Sequence, residues 1–412
     1  MPISTNSNIA ILGAGPAGIT AAITLAKKGI PVTLIDKDDF PRQKICGDGL
    51  SGQVISELRR LHPDWIKDFN NSGLATRSMA ARFYSPNLKM MELSFQDADL
   101  SLPSGFICKR VDFDDFLLKK ALSFKEIRFT GGVNITTLTR TEDGINLIDQ
   151  TGQVFSTARL LLFAGGSNKR LIRQLDNDLR SGMAEGIGVR GYFQHVAGAD
   201  EKHAIEIHFL KELLPWYLWI FPFGDGSANV GLALPEEIAG KQKVSLKELL
   251  FQLIGSYPHL KERFKDARLQ GKTEAGRLPY FTGPTRVSGD RYMLLGDAGY
   301  LIDPFTGEGI GNAMASGRYA AEIAAECAST GNFSHDITEK YQQLIQNRLI
   351  PELALSQKLQ KLACKPALLN LVIGRASRHE KTRELISSML YDPNVKMKLG
   401  RPGFYIKILL GI

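Results

Sequence analysis

Cysteine is scarce in this sequence. Cys46, Cys108, Cys327 and Cys364 are scattered over 412 residues, and no two stand at metal-ligand or redox spacing. That excludes a disulfide scaffold, a dithiol centre and a cysteine-built metal site, and it suits a reducing compartment. Long apolar runs are missing too: none reaches the roughly 18–20 residues that a bilayer-spanning helix needs. The first residues lead straight into a strand pattern, without the charged region, apolar core and cleavage site of a signal peptide. A cytoplasmic protein is therefore expected. No repeat, no low-complexity segment and no basic run interleaved with aromatics occurs, so nucleic acid is the poorest choice of partner.

What is present describes an enzyme-like chain. Its length allows two or three domains, and 43% hydrophobic with 23% charged residues is ordinary for a globular enzyme. Lys and Arg exceed Asp and Glu by 51 − 43 = 8. A basic balance of that size fits anionic ligands or an anionic membrane surface.

The most informative stretch is the first forty residues. Asn8 to Leu12 is a short apolar run without a polar face, as a buried parallel strand should be. Gly13-Ala14-Gly15-Pro16-Ala17-Gly18 follows, then an apolar helix over 16–28 and a second strand, Val32 to Ile35, ending at Asp36. Gly13 permits the tight turn, Gly15 removes a Cβ that would meet a pyrophosphate, and Gly18 lets helix and strand approach. Pro16 suits a first helical turn, whose amides point at the phosphates. Asp36 stands where a carboxylate accepts the hydroxyls of an adenosine ribose. The order strand, fingerprint, helix, strand, acid predicts an ADP-binding βαβ unit, without distinguishing NAD from FAD.

A Gly-rich, charged loop, Phe40 to Ser51, leads into an amphipathic helix near 51–61 with Ser51 as N-cap. Cys46 in this loop is either a small buried apolar group or a reactive one. Strands are expected at Ser78–Tyr84, Lys89–Phe95 and Phe106–Lys109, and a helix opens at Arg110. Segments 126–139, 144–149 and 153–157 read as a meander, and Arg159 to Gly166 as a separate central strand. From about 182 to 281, short aromatic-rich strands suggest an antiparallel second domain, interrupted by one helix at 245–255. Tyr217, Trp219 and Phe221 within it belong either to a core or to the wall of an apolar substrate cavity. Tyr292 to Ala298 is an apolar strand ending in Gly296-Asp297, and a glycine-rich helix start follows at Pro304 to Met314. This is either a capped helix start or a second ligand contact. Beyond 335 the chain is helical and basic. Its last residues, Phe404 to Ile412, either dock on the body or touch a membrane interface.

Together these motifs resemble a flavoprotein of the para-hydroxybenzoate-hydroxylase-like class, and within it the geranylgeranyl reductase family. The resemblance is carried by Gly13–Gly18, Cys46-Gly47-Asp48-Gly49, Arg110 with Phe113-Asp114, and Tyr217 to Pro222. Asn229 to Leu232 and Gly296-Asp297 followed by Pro304 to Gly309 complete it. It implies an α/β fold: a Rossmann-like FAD-binding domain (1–75, 100–180 and 282–330), an antiparallel-sheet substrate domain (76–99 and 182–281), and a helical C-terminal region (331–412). It also implies FAD. Gly13, Gly15, Pro16, Ala17 and Gly18 would meet the pyrophosphate, with Asp36 and Lys37 at the adenosine ribose. Cys46 and Gly47 would lie along the cofactor and Arg110 near the FAD phosphates, with Gly296 and Asp297 at the ribityl or pyrophosphate region. Gly307, Gly309, Ile310, Gly311 and Asn312 would lie beside the isoalloxazine. Cys46 is the catalytic candidate, Tyr217, Trp219 and Phe221 the substrate wall, and no metal is implied.

The expected reaction is reduction of C=C bonds in an isoprenoid or other lipid-like substrate by hydride from flavin N5. The alternative is a monooxygenase of hydroxylase or halogenase type, with a cyclase or a flavin-binding electron carrier further off. Gly165-Gly166 stands where the class often has Asp-Gly, which leaves the donor open between NADPH and a redox partner such as reduced ferredoxin or flavodoxin. The basic C-terminal helices are a candidate for peripheral membrane contact on the inner face.

Overall fold

A computed structural model describes residues 5–95, 105–176, 184–241 and 245–391. The tail Phe404 to Ile412 lies outside them. Two large sheets and a set of C-terminal helices enclose one cavity.

The first sheet has eight strands. Its main path runs Ser288–Gly289, Tyr292–Leu294, Val154–Phe163, Thr5–Leu12, Val32–Ile35, Ile127–Thr130. Neighbours on that path are parallel except for the first pair. Ile9, Ile11, Leu34 and Leu160 to Phe163 are fully buried, which explains why these strands read as unbroken apolar runs. Two expectations are corrected here. Segments 153–157 and 159–166 form one strand, Val154–Phe163, whose first half closes a hairpin with Ile145–Asp149 while Ser156 to Phe163 pair with Thr5–Leu12. Ile127–Thr130 leaves the meander and joins Val32–Ile35, because Gly132 at φ +70° turns the chain between it and Ile135–Arg140.

The second sheet has seven strands in the order Arg268–Leu278, Gly186–Gln194, Ala228–Pro235, Leu218–Pro222, Ile205–His208, Ala80–Tyr84, Met90–Ser94. All pairs are antiparallel except Ile205–His208 with Ala80–Tyr84. The long outer strand Arg268–Leu278 was not expected; exposed and rich in charge, it lacks the alternation that marks a half-buried strand. Phe106–Ile107 pairs instead with Gly49–Leu50 and Thr76–Arg77 in a small third sheet, so the loop after Cys46 does contain strand. The helix Leu246–Ser256 covers the outer face of the second sheet and starts at a capping box, Ser245 with Glu248. Among the described residues no helix is long and apolar enough to cross a membrane.

That outer face also carries a buried aromatic stack. His208, fully buried, lies 4.2 Å from the Tyr84 ring and 5.4 Å from the His259 ring. Glu206 accepts from His208 and from Arg263. Burial, with the cationic Arg263 and His208 beside it, pushes the His259 pKa from 6.5 down to about 4, against the pull of Glu206. Folded His259 therefore stays neutral where the unfolded chain takes a proton, and stability is lost as pH falls from 6.5 towards 4. With the ring partly exposed the effect is about 1–2 kcal/mol. His259→Phe keeps the stack and removes the proton site. Melting temperature measured from pH 7 to 4.5 should fall less steeply in the variant than in the parent; equal slopes would exclude His259 as a contributor.

Candidate functional site

The site begins where two helices cross. The helix Pro16–Ala26 packs on the helix Ile310–Thr330 so tightly that a Cβ on Gly317 would lie 2.2 Å from the Ala17 carbonyl oxygen. At the start of the first helix, Gly13 takes φ +107°, and a Cβ on Gly18 would lie 1.9 Å from the Gly13 oxygen. Gly18 thus serves packing and stands behind the turn, away from the cavity wall. Gly15 is different: a Cβ there would meet only the Arg42 guanidinium, at 3.5 Å, and otherwise points into open space. Neither helix has a side-chain cap or an acidic residue in its first turn. Both starts, Gly15-Pro16 and Gly309-Ile310, open into the same cavity of about 1390 Å³. Helix starts left without side-chain partners, with positive dipole ends, are donors in search of an anion.

Most of the residues singled out from the sequence come together here. Gly13, Gly15, Pro16, Ala17, Asp36 and Lys37 line one end of the cavity. Cys46, Gly47 and Arg110 line its middle, and Gly296, Asp297, Gly307, Gly309, Ile310 and Asn312 its opposite side. Gly311 does not reach it; a Cβ there would lie 2.6 Å from Glu308 and 2.8 Å from Gln53, on the neighbouring helix Gly52–Leu61. Asn312 faces the cavity, but its amide already bonds Gln53 and the Leu301 carbonyl. Asp36 receives the Ala14 N–H at 2.6 Å and the Asp38 N–H at 3.0 Å, one on each oxygen, which fixes the carboxylate at the strand end. Lys37 is mostly exposed at the rim.

Charges at the polar end are paired. Arg110, buried, grips Asp114 through two bonds of 2.7 and 2.8 Å, the i, i+4 geometry of its own helix Arg110–Ala121. Arg42, not singled out from the sequence, stands between Asp36 and Asp114 at 3.7 and 3.3 Å. Its buried Nε has no hydrogen-bond partner among the described residues. A phosphate oxygen would supply one. The signal for Arg42 was its place in a Gly-rich loop next to the cradle, but nothing in the loop's sequence shows which cation turns inward.

The Pro304–Gly309 loop is held from two sides. Asp303 accepts the N–H groups of Phe305 and Thr306, at 2.8 Å each, and the Ser356 hydroxyl of the C-terminal helix Ile350–Ala363 at 2.5 Å. Trp216 donates to the Pro304 carbonyl at 2.7 Å, and Tyr217 donates to that of Thr306. Asp303 and Ser356 escaped the sequence reading because their partners lie far along the chain.

Beyond the loop the wall turns apolar. Tyr217, Trp219 and Phe221 face the cavity, while Leu218 and Ile220 pack under the helix Leu246–Ser256, as the period of two requires. Trp219 pairs with Ile207, Ile207 with Phe83, and Phe83 with Met91, one rung across four strands. Beside it Ile205 pairs with Ala81 and Ala81 with Leu93. Every one of these side chains lines the cavity, and Leu369, Ile373 and Ile386 of the C-terminal helices cover them. Three inter-strand gaps from Trp219 to Met91 make a floor about 14 Å long.

The residues present therefore fit a dinucleotide: two open helix starts, an unpartnered arginine nitrogen and an acid at the strand end share one cradle. The helix crossing carries a prediction. Gly317→Ala should destabilise the protein by about 3 kcal/mol or more through the Ala17 clash, whereas Gly15→Ala should cost under about 1 kcal/mol. Denaturant unfolding of the flavin-free protein measures both, and equal costs would refute the assigned roles.

Residues 7–57 match the pyridine nucleotide-disulphide oxidoreductase family. The chain is 26% identical over 379 residues to the menaquinone reductase of Mycolicibacterium smegmatis, covering 90% of this chain and 87% of that protein. It is 28% identical over 380 residues to the digeranylgeranylglycerophospholipid reductase of Methanocella arvoryzae, covering 87% of each. Its fold matches a geranylgeranyl bacteriochlorophyll reductase-like protein from Thermoplasma acidophilum with a TM-score of 0.80, at 21% identity and over 97% and 99% of the two chains. A variant of halogenase PltM in complex with FAD gives a TM-score of 0.73 at 18% identity, over 96% and 85%. The cradle fits FAD, and the similarity along nine-tenths of the chain to two reductases marks the protein as an FAD-dependent oxidoreductase similar to the geranylgeranyl reductases.

Proposed function

We propose that the protein reduces carbon–carbon double bonds in the isoprenoid chain of a lipid. The observation that carries this reading is the continuity of the cavity: its dinucleotide cradle opens without a break onto the apolar floor from Trp219 to Met91. Its volume, about 1390 Å³, exceeds the roughly 300–1,000 Å³ typical of a single drug-sized ligand and leaves room for a second molecule. Both relatives are named for molecules that carry isoprenoid chains.

Gly13, Gly15 and the amides of the first helix would hold the FAD pyrophosphate, with Arg42 completing the charge. Asp36 would take the adenosine ribose, and the second helix start at Gly309-Ile310 would face the flavin ring. Bound and reduced, the flavin would supply a hydride for one alkene carbon; the protein must provide a dry, oriented pocket and a proton for the other. Aromatic and aliphatic side chains on the floor exclude water and lay the chain across the strands. Cys46 lines the wall between cradle and floor, and burial raises its thiol pKa although Arg110 lies against it. The thiol therefore keeps its proton at neutral pH, and Sγ is the proton source assigned to the junction of the two halves. Ala164, Gly165 and Gly166 bring no carboxylate to the cavity, and NADPH is weighed against reduced ferredoxin or flavodoxin as donor by running one assay with each.

Anaerobic incubation with an isoprenoid alcohol and chemically reduced enzyme, followed by mass spectrometry, tests the reading. The expected product gains two hydrogens per bond reduced. Turnover that requires oxygen and adds an oxygen atom or a halogen would instead favour the hydroxylase or halogenase reading. In the same assay Ala81→Phe, which fills the middle of the floor, should raise KM for a twenty-carbon chain at least about tenfold and spare a ten-carbon one. Equal effects on both lengths would show that the chain does not lie on this floor.

A further inference from the structure

We propose that Asn229 is a positioning residue, which clamps the Cys46–Asp48 turn to the second sheet and thereby sets where the Cys46 thiol stands. Asn229 is fully buried, on the strand Ala228–Pro235. Its amide is completely used. One nitrogen donates to the Cys46 carbonyl and to Asp48 Oδ2, at 2.8 Å each, and its oxygen accepts the Trp219 indole N–H at 2.9 Å. Reversing the amide would set N–H against N–H and oxygen against two acceptors, so a single orientation satisfies all three partners. The approach of Trp219 requires Gly231, where a Cβ would lie 2.3 Å from the indole.

The turn that Asn229 grips is one that would not hold itself. Asp48 is fully buried in the left-handed region at φ 67°, a conformation that costs a non-glycine residue energy unless its surroundings fix it. Those surroundings come from both halves of the molecule. From the first half, the Arg110 N–H bonds Asp48 Oδ1 at 3.2 Å and the Cys108 N–H bonds the Asp48 carbonyl at 2.9 Å. From the second sheet, the Tyr192 hydroxyl and Asn229 bond Asp48 Oδ2, at 2.8 Å each. Among the described residues, Asn229 bonds both the turn and an aromatic of the apolar floor. One side chain therefore fixes the offset between the Cys46 thiol and the Trp219 wall. The inference uses the placement of Cys46 at the junction of cradle and floor, and its test reads the thiol without any substrate.

The experiment follows alkylation of individual cysteines by iodoacetamide in the FAD-loaded protein, using peptide mass spectrometry. Asn229→Ala should speed modification of Cys46 about tenfold or more while leaving that of the buried Cys327 unchanged. Asn229→Asp sets a second carboxyl beside Asp48. At a pH where both are ionised the two repel, and the Cys46 rate should match that of the alanine variant. As pH falls, a proton shared between the two carboxyls restores the bond to Asp48, though not the one to the Cys46 carbonyl, and the ratio to the parent measured at the same pH should fall part of the way towards one. An unchanged Cys46 rate in Asn229→Ala would overturn the proposal. So would Cys46 and Cys327 accelerating together, which marks general loosening, or a ratio for Asn229→Asp that does not vary with pH. If the alanine variant does not hold FAD, the aspartate variant compared across pH decides alone. Failure of the reductase reading would leave these rates untouched, so the two are separable.

Discussion

Everything in the site depends on how closely two helices can approach. The contact of Gly317 with the Ala17 carbonyl brings the starts of two distant helices, one at residue 16 and one at residue 310, to the same cavity. Each start alone is an ordinary uncapped helix end. Side by side they make a binding site with donors on two sides and a strand-end acid, Asp36, between sheet and solvent. A single methyl group at the crossing would separate them, and the burden falls on residues too small to be noticed as functional.

The second sheet adds what the dinucleotide unit lacks. Its cavity face, from Trp219 to Met91, is apolar along two rungs, while its outer face carries the His208–His259 stack and a covering helix. Alternation along each strand separates the two faces. Two devices join the sheet to the cradle, Trp216 and Tyr217 on the Pro304 loop and the Asn229 bridge to the Cys46 turn, while Asp303 with Ser356 ties the same loop to the C-terminal helix Ile350–Ala363. The bonds of Trp216 to Pro304, of Ser356 to Asp303 and of Asn229 to Asp48 are buried, and such bonds are costly to leave unmade and so fix geometry well. The polar cradle and the apolar floor are thus held in one register, as a reaction between a bound cofactor and an oily chain requires.

Much of this was legible from the sequence where the signal is local. The strand Val32–Ile35, the helix after Gly15 and the Ser51 cap follow from apolar runs and capping chemistry within a few residues. Gly13, Gly15 and Asp36 were singled out by their spacing, and the Gly309 helix start by its glycines together with the family resemblance. What escaped depends on distant partners. Arg42 reads as one more surface cation until the fold turns it between Asp36 and Asp114. Gly317 looks like a weak helix residue until Ala17 lies against it. Asp48 reads as part of a Gly-Asp-Gly turn, yet it is buried and bonded from both halves of the molecule. The strand Arg268–Leu278 was missed because an exposed edge strand needs no alternation.

Titration of FAD into flavin-free protein, followed by visible absorbance and flavin fluorescence, tests the central claim most directly. The account predicts saturable uptake of one FAD per chain, with the cofactor's absorption band shifted and its fluorescence changed as the ring enters the cavity. A folded protein whose added FAD keeps its free spectrum and passes freely through a desalting column would contradict the convergence of two helix starts on one dinucleotide.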